Sequence, residues 1–499
     1  MKQGFSWPEK VEEFENQTPL KNLDCETVTH DNRKETEQHN EQHNDVLAVE
    51  SQRICITGGS LNVKCVSQIV FNSHVIGKKY LENLKQFHGH SSLYGEAGLQ
   101  ALYLSNLNTP LEHGQMGIQA VYPSDFNAQS AASRSVLQTM YTYKLGHRLF
   151  NGTCVWSQEY WFRASPYPGQ NSLQRVIIFG DMGKGEADGS FEFEDFQPAS
   201  LNTTKQLIED LNNIDIVFHI GDVVYAMGYI AQWDQFTAQI EPIASTKPYM
   251  IGSGNHERDW PGTGSFYQNM DSGGECGVLA ENIFYVPAEN RANFWYSTDY
   301  GMFRFCVAHT ELDWREGSEQ YKFIENCLAS VDRQRQPWLI FLAHRVLGYS
   351  SVDFYVEEGS FEEPMGREDL QKLWQKYKVD IALYGHVHNY ERSCPVYENI
   401  CTSQEKHNYI GPLKGTIHVI AGGGGASLHE FASINTTWSI YKDYDNGFVK
   451  LTAFDHSHLL FEYKKSRDGK VYDSFTISRD YRDILTCTVD SCPEVTLAQ

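Results

Sequence analysis

Apolar residues in the middle of this chain come in short runs that stop abruptly at polar residues: Val176-Ile-Ile-Phe, Ile214-Asp-Ile-Val-Phe-His-Ile, Tyr249-Met-Ile, Trp338-Leu-Ile-Phe-Leu-Ala and Ile381-Ala-Leu-Tyr. Runs of this length without strict alternation predict strands buried on both faces, as in a mainly parallel sheet. Between them the apolar spacing turns helical, over 203–211 with Leu207, Ile208 and Leu211 on one face, over 320–331 with Phe323, Ile324, Cys327 and Leu328, and over 370–377 with Leu370, Leu373, Trp374 and Tyr377. Strand and helix alternate, which predicts an α/β class. Past Gly415 the pattern becomes that of antiparallel strands, over 448–454, 459–463 and 471–477, with Asp468-Gly469 as one of the turns.

The N-terminal part reads differently. Residues 1–50 are polar and end in the tandem Glu37-Gln-His-Asn, Glu41-Gln-His-Asn, the composition of a solvated, disordered tract, in which His39 and His43 are solvated side chains rather than metal ligands. Signals are weak from 51 to about 135. Thr139-Met-Tyr-Thr-Tyr-Lys-Leu and Cys154-Val-Trp-Ser-Gln-Glu-Tyr-Trp-Phe-Arg then alternate with period two about Phe150-Asn-Gly-Thr, predicting the last hairpin of a small β-sandwich. Ser165-Pro-Tyr-Pro-Gly-Gln is a proline-bearing linker. The expected domains are a polar tract (1–50), a divergent or incomplete β-sandwich (51–168), a catalytic α/β domain (172–410) and an antiparallel part completing it (411–499).

Composition narrows the partners. The chain has 499 residues and a formal net charge of −23, the opposite of the basic footprint that nucleic acid requires. With 41% apolar and 21% charged residues it can bury more than one core. No run of about 18 apolar residues is present to span a membrane, and the first thirty residues lack the apolar core of a secretory signal. The cysteines and sequons point the other way. Cys394/Cys401 and Cys487/Cys492 are spaced to close small loops, without the CxxC spacing of zinc sites, and Asn16, Asn151, Asn202 and Asn435 begin glycosylation tripeptides. The body therefore suits an oxidising compartment, and the expectation is an atypical or incomplete N-terminus, with an upstream start encoding a signal peptide and further sandwich strands.

The strand ends carry the chemistry. They read Gly180-Asp181-Met182-Gly183, Gly221-Asp222-Val223-Val224-Tyr225, Gly254-Asn255-His256-Glu257, Ala343-His344-Arg345 and Gly385-His386-Val387-His388. Each alone is weak, since Gly-Asp is commonly a turn and a lone histidine is commonly structural. Five in one order supply two Asp, one Tyr, one Asn and three His, a donor set that suits two metal ions sharing a carboxylate. Ligands of open α/β sheets gather at such strand ends.

At these residues the chain resembles the metallophosphoesterase superfamily and, within it, the plant purple acid phosphatases. The resemblance runs from about 141 to 491 and is closest to the large members described as nucleotide pyrophosphatase/phosphodiesterase-like, through Gly254-Asn-His-Glu-Arg-Asp-Trp-Pro and Ala343-His-Arg-Val-Leu-Gly-Tyr-Ser-Ser. It implies a βαβαβ sandwich of two mixed sheets flanked by helices, preceded by a partial fibronectin-like β-sandwich. Where protein phosphatases of the superfamily have a ligand His, Gly183 stands here, and Tyr225 occupies the place of the tyrosinate that binds ferric iron. By that likeness Asp181, Asp222, Tyr225 and His388 would bind Fe(III), while Asp222, Asn255, His344 and His386 would bind divalent Zn, Mn or Fe. A metal-bound hydroxide would attack phosphorus in line, with His256 binding the phosphoryl oxygens or protonating the leaving group. The resemblance also implies a secreted or vacuolar glycoprotein acting on small phosphate esters or nucleotides, with a second copy of the chain as an open partner.

Two departures from the family and two arginines bear on the site. Residues 349–367 contain no histidine where some plant relatives supply several, so leaving-group protonation falls to His256 or water. Arg258 and Arg345 are the candidates for holding a second phosphate, with structural ion pairing as the alternative. His309 stands where relatives have Asp, at a position that is not a ligand. The expectation is a phosphoesterase of nucleotide pyrophosphates and diesters. Its rivals are a broad acid phosphomonoesterase and a catalytically silent glycoprotein with a binding role.

Overall fold

The computed structural model describes residues 116–121, 140–148, 154–186, 197–352, 366–433 and 436–480. The polar tract, the sequons at Asn16, Asn151 and Asn435, and the Cys487/Cys492 pair lie outside these residues. So does most of 51–135.

Strands β1 (Met116–Val121), β2 (Met140–Arg148), β3 (Cys154–Trp156) and β4 (Tyr160–Arg163) form an antiparallel sheet in which β2 pairs with all three others. The sequence predicted one strand over 154–163, but it is split. Ser157 turns inward, its hydroxyl accepting from Leu145 N (2.9 Å) and its own N–H donating to Leu145 O (2.7 Å), so the ladder is interrupted before β4. Tyr143, Leu145 and Phe162 make the small core of this sheet, and Tyr143 donates across to Ser245 O at 2.9 Å.

The body is two mixed sheets face to face. In the first, β5 (Gln174–Phe179), β6 (Ile216–Ile220) and β7 (Tyr249–Gly252) run parallel. From β5 the sheet continues antiparallel through β17 (Gly447–Ala453), β18 (His458–Lys465) and β19 (Val471–Ser478), with β14 (Asn408–Ile410) parallel at its edge. In the second, β9 (Phe303–Val307), β10 (Trp338–Ala343), β11 (Ile381–Tyr384) and β15 (Thr416–Ala421) are parallel. Antiparallel β8 (Tyr296–Tyr300) and β12 (Tyr390–Tyr397) flank them, and β13 (Ile400–Cys401) and β16 (Ser439–Asp443) both pair with β12. The strand after Gly415, β15, is thus parallel to β11 on one side and antiparallel to β12 on the other.

Alternation along β10 explains the layers. Trp338, Ile340 and Leu342 enter the core between the sheets, while Leu339, Phe341 and Ala343 enter a second core under two helices. Those helices are α5 (Glu319–Ala329) and α6 (Gly366–Tyr377), which contribute Ile324, Cys327, Leu328, Leu370, Leu373 and Trp374. On the first sheet lie α1 (Ala199–Glu209) and α2 (Ile230–Ala244), burying Leu207, Trp233, Phe236, Ile240 and Ile243. Two short helices, α3 (Asn255–Arg258) and α4 (Val278–Ile283), follow β7. Helix α1 begins before its predicted start, directly after Pro198, and Ile208, predicted on its buried face, is exposed. Helix α2 escaped the sequence reading, since Pro242 interrupts the expected pattern.

Cys394 and Cys401 are bonded as their spacing suggested, across β12 and β13. A second disulfide, Cys306–Cys327, ties β9 to α5. Its loop of 21 residues corresponds to about 3 kcal/mol of unfolded-state entropy. Replacing both cysteines by alanine is expected to lower the unfolding free energy by about that amount in guanidinium titrations. An unchanged midpoint would show that the bond contributes nothing.

Candidate metal centre

The parallel strands of both sheets end at one place. Asp181 follows β5, Asp222 and Tyr225 follow β6, Asn255 follows β7, His344 follows β10, and His386 and His388 follow β11. The chain must reverse sharply there, and four of the seven donors do so with left-handed backbone: Asp181 (φ 60°), Asp222 (φ 49°), Tyr225 (φ 59°) and His386 (φ 66°). Non-glycine residues in that region cost free energy, a signature of functional sites. Gly221, itself at φ 94°, and Gly254 admit no side chain, because a Cβ would strike the His344 ring or the Asp222 carboxylate. The glycines before Asp222 and Asn255 are thus a steric requirement.

One carboxylate braces two of these turns. Glu257 in α3 accepts from the backbone N–H groups of Asp222 (2.8 Å), Val223 (2.7 Å) and Gly254 (2.8 Å). Burial, and after it Asp222, pushes its carboxyl up to about 7.

The donors form two clusters, Asp222 with His344 and His386, and Asp181 with Asp222 and His388. Within each, one ligand atom per residue lies within 4.8 Å of the others. Asp222 belongs to both. His388 Nδ1 donates to Ser427 O (2.6 Å), so it is Nε2 that faces Tyr225 Oη (3.1 Å) and Asp181 Oδ1 (3.4 Å). His344 Nδ1 donates to Ile220 O (3.0 Å), so Nε2 faces Asn255 Oδ1 (2.9 Å) and Asp222 Oδ1 (3.2 Å). Asn255 Oδ1 also meets His386 Nδ1 at 3.0 Å. Tyr225 Oη also donates to Asp181 Oδ1 at 3.3 Å, and carboxylate, phenol, amide and imidazole groups thus converge in a way that a cation stabilises. The donor set fits two metal ions.

The electrostatics agree. Burial disfavours charge on His344, yet Asp222 and Asp181 push the ring up to about 10, the response of a group placed where positive charge belongs. Burial likewise opposes ionisation of Asp222, but His344, His256 and His386 hold it well below the ordinary carboxylate range. Asp181 is raised by burial, with Asp222 adding to the rise. Burial followed by Asp181 and Asp222 drives the Tyr225 phenol well above its usual value.

His256 sits beside the cluster. Its ring lies 4.4 Å from that of Tyr225, its backbone N–H donates to Asp222 Oδ1 (3.0 Å), and its buried Nδ1 has no hydrogen-bond partner among the described residues. Arg345 is buried, with Nε on Glu311 (2.7 Å), Nη2 3.7 Å from both Asp259 and Asp271, Nη1 3.3 Å from His386 Nε2, and its guanidinium 3.9 Å over the Tyr267 ring. Arg258 spends its guanidinium on Thr263 and Ser265 of the following loop. His309 is buried away from the ligand clusters, its backbone held by Gln320.

Several contributors carried no sequence signal. Ser427 and His429 lie on a strap after the glycines 422–425; His429 stacks on His388 at 4.2 Å and accepts from its backbone N–H (3.3 Å). Asp271 accepts from Asn255 Nδ2 at 2.9 Å.

Comparison with known proteins places this centre in a family. Residues 174–390 match the calcineurin-like phosphoesterase model, and residues 415–474 match the model of the iron/zinc purple acid phosphatase-like protein C domain. A protein of Arabidopsis thaliana named probable inactive purple acid phosphatase 1 is 74% identical over 358 residues, covering 72% of this chain and 58% of its own length. A nucleotide pyrophosphatase/phosphodiesterase of Hordeum vulgare is 67% identical over 348 residues, covering 70% of this chain and 95% of that protein. The solved purple acid phosphatase PPD1 from yellow lupin seeds superposes with a TM-score of 0.70 at 79% identity, covering 73% of this chain and 64% of that one. The chain spans 58–59% of the length of the Arabidopsis relatives named probable inactive purple acid phosphatases 1 and 27. Purple acid phosphatases bind a dinuclear metal centre, and it is to their family that this chain belongs.

Proposed function

We propose that the chain is a binuclear-metal phosphoesterase, with Asp181, Asp222, Tyr225 and His388 as the ligands of Fe(III) and Asp222, Asn255, His344 and His386 as those of a divalent Zn, Mn or Fe ion. The observation that carries this reading is the double membership of Asp222 in two donor clusters. The division of metals follows donor chemistry, since a phenolate and carboxylates stabilise a trivalent ion while an amide and two imidazoles beside a shared Asp suit a divalent one. Tyr225 adds to it: buried beside Asp181 and Asp222, its oxygen ionises only against a strongly charged cation. When bound, the metal pair supplies a water nucleophile active at neutral or acid pH and neutralises phosphoryl charge.

The chain's own groups do the rest. Ile220 and Ser427 fix the tautomers of His344 and His388 through their carbonyls. His256, against Tyr225 at the rim, is the group to hydrogen-bond the phosphoryl oxygens or protonate the leaving alkoxide. Arg258 and Arg345 are engaged by loop residues and carboxylates, which favours the structural alternative over a second phosphate site. Support for nucleotide pyrophosphates and diesters as substrates comes instead from the similar barley protein, a nucleotide pyrophosphatase/phosphodiesterase. The names of the Arabidopsis relatives keep the silent binding protein as a second reading, and the convergence of all seven donors favours turnover. The disulfides Cys306–Cys327 and Cys394–Cys401 support an extracellular or vacuolar home.

Tyr225→Phe is expected to bleach the visible charge-transfer band of the iron-loaded protein, and an unchanged spectrum would remove Tyr225 from the iron site. Asp222→Asn and His386→Ala are each expected to lower kcat/KM on nucleotide pyrophosphates and activated diesters by about 10³-fold or more, about 4 kcal/mol of barrier, with the thermal midpoint nearly unchanged. Wild-type turnover in either variant at saturating metal would exclude the two-metal mechanism. For His256→Ala the expectation is a loss of about 10²- to 10⁴-fold in kcat with metal content intact; loss of metal instead would reassign His256 to supporting Asp222 or Tyr225.

A further inference from the structure

Asn255 is the weakest of the seven donors, a neutral amide that can present either oxygen or nitrogen by a half-turn about its last bond. Only the oxygen can bind a cation. The nitrogen in its place would leave the cation without this donor, so the site needs something that fixes which end of the amide faces His344 Nε2 and His386 Nδ1.

That constraint comes from the loop between α3 and α4. Asp271 Oδ2 accepts from Asn255 Nδ2 at 2.9 Å, which leaves Oδ1 at 2.9 Å from His344 Nε2 and 3.0 Å from His386 Nδ1. The carboxylate is itself held in place. Arg345 Nη2 lies 3.7 Å from it, and Arg345 is in turn fixed by Glu311 and by the Tyr267 ring. The loop closes on itself through Ser272 N to Asp259 O (3.1 Å) and Asn269 N to Asp259 Oδ2 (3.1 Å). Its far end is anchored where Glu275 accepts from Gly228 N and Trp233 Nε1.

We propose that Asp271 is a positioning residue for the divalent half of the centre: it locks the Asn255 amide with its oxygen toward the metal and, through a charge-assisted bond to the amide N–H, strengthens that oxygen as a donor. Arg345 belongs to this device as the post that steadies Asp271. The inference rests on the binuclear reading and deepens it. It assigns the loop after Asn255, whose sequence shows no metal motif, to tuning one metal and not the other.

The test is chelator-competition titration of Zn(II) into the iron-loaded full chain, for wild type, Asp271→Leu and Asp271→Asn, with iron content and the visible band read on the same samples. Asp271→Leu is expected to weaken Zn(II) affinity by about 10- to 100-fold while iron content and the band stay at wild-type values. Asp271→Asn, whose carbonyl can accept the same hydrogen bond, should recover most of that loss. Unchanged Zn(II) affinity in Asp271→Leu would overturn the proposal, as would equal loss of iron and zinc, which marks a merely structural role. Failure of Asp271→Asn to recover the affinity would overturn the orienting role. A wild type that binds neither metal would instead refute the binuclear reading itself, so the two failures are distinguishable.

Discussion

Seven polar side chains are buried together at one point, and holding them there, out of water, is the constraint around which this protein is arranged. Two βαβαβ units deliver the donors from opposite sheets, so neither sheet alone can hold the site. Left-handed backbone at Asp181, Asp222, Tyr225 and His386 aims the side chains inward at an energetic cost. Glu257 offsets part of it by accepting three backbone N–H groups from the turns that carry Asp222 and Asn255. Packing of the two-sheet core supplies the rest, and a cation stabilises the convergence of these groups.

The layers of the fold were legible because burial writes itself into sequence. Trp338–Ala343 reads as one uninterrupted apolar run because its two faces enter two different cores. Helix α2 was lost because Pro242 sits near its C-terminal end, where tertiary packing tolerates a residue that helix propensity forbids. Ile208 was misplaced because the apolar spacing of 203–211 is wider than the face that the sheet covers. The Cys306–Cys327 bond joins a strand to a helix 21 residues on, a pairing that spacing alone does not single out among eleven cysteines.

The candidate donors were legible for a different reason: each follows a strand end, and a preceding glycine marks Asp181, Asp222, Asn255 and His386. Their supports were not. Ser427 fixes the His388 tautomer with a backbone carbonyl, which any residue type could provide, and Asp271 reaches Asn255 from 16 positions away across a closed loop. Arg345, beside His344 in sequence, left an anion site and a structural ion pair both open, and three carboxylates and an aromatic face surround its guanidinium.

Names of relatives divide on whether this scaffold turns over substrate, and the geometry bears on that division through one question, whether two cations share Asp222. Anomalous X-ray diffraction from crystals of the metal-loaded chain, collected at the iron edge and at the edge of the divalent metal, answers it directly. Two peaks about 3.5–4 Å apart on either side of the Asp222 carboxylate, iron on the Tyr225 side, are the predicted result. A single peak, or two peaks that do not share Asp222, would contradict the account.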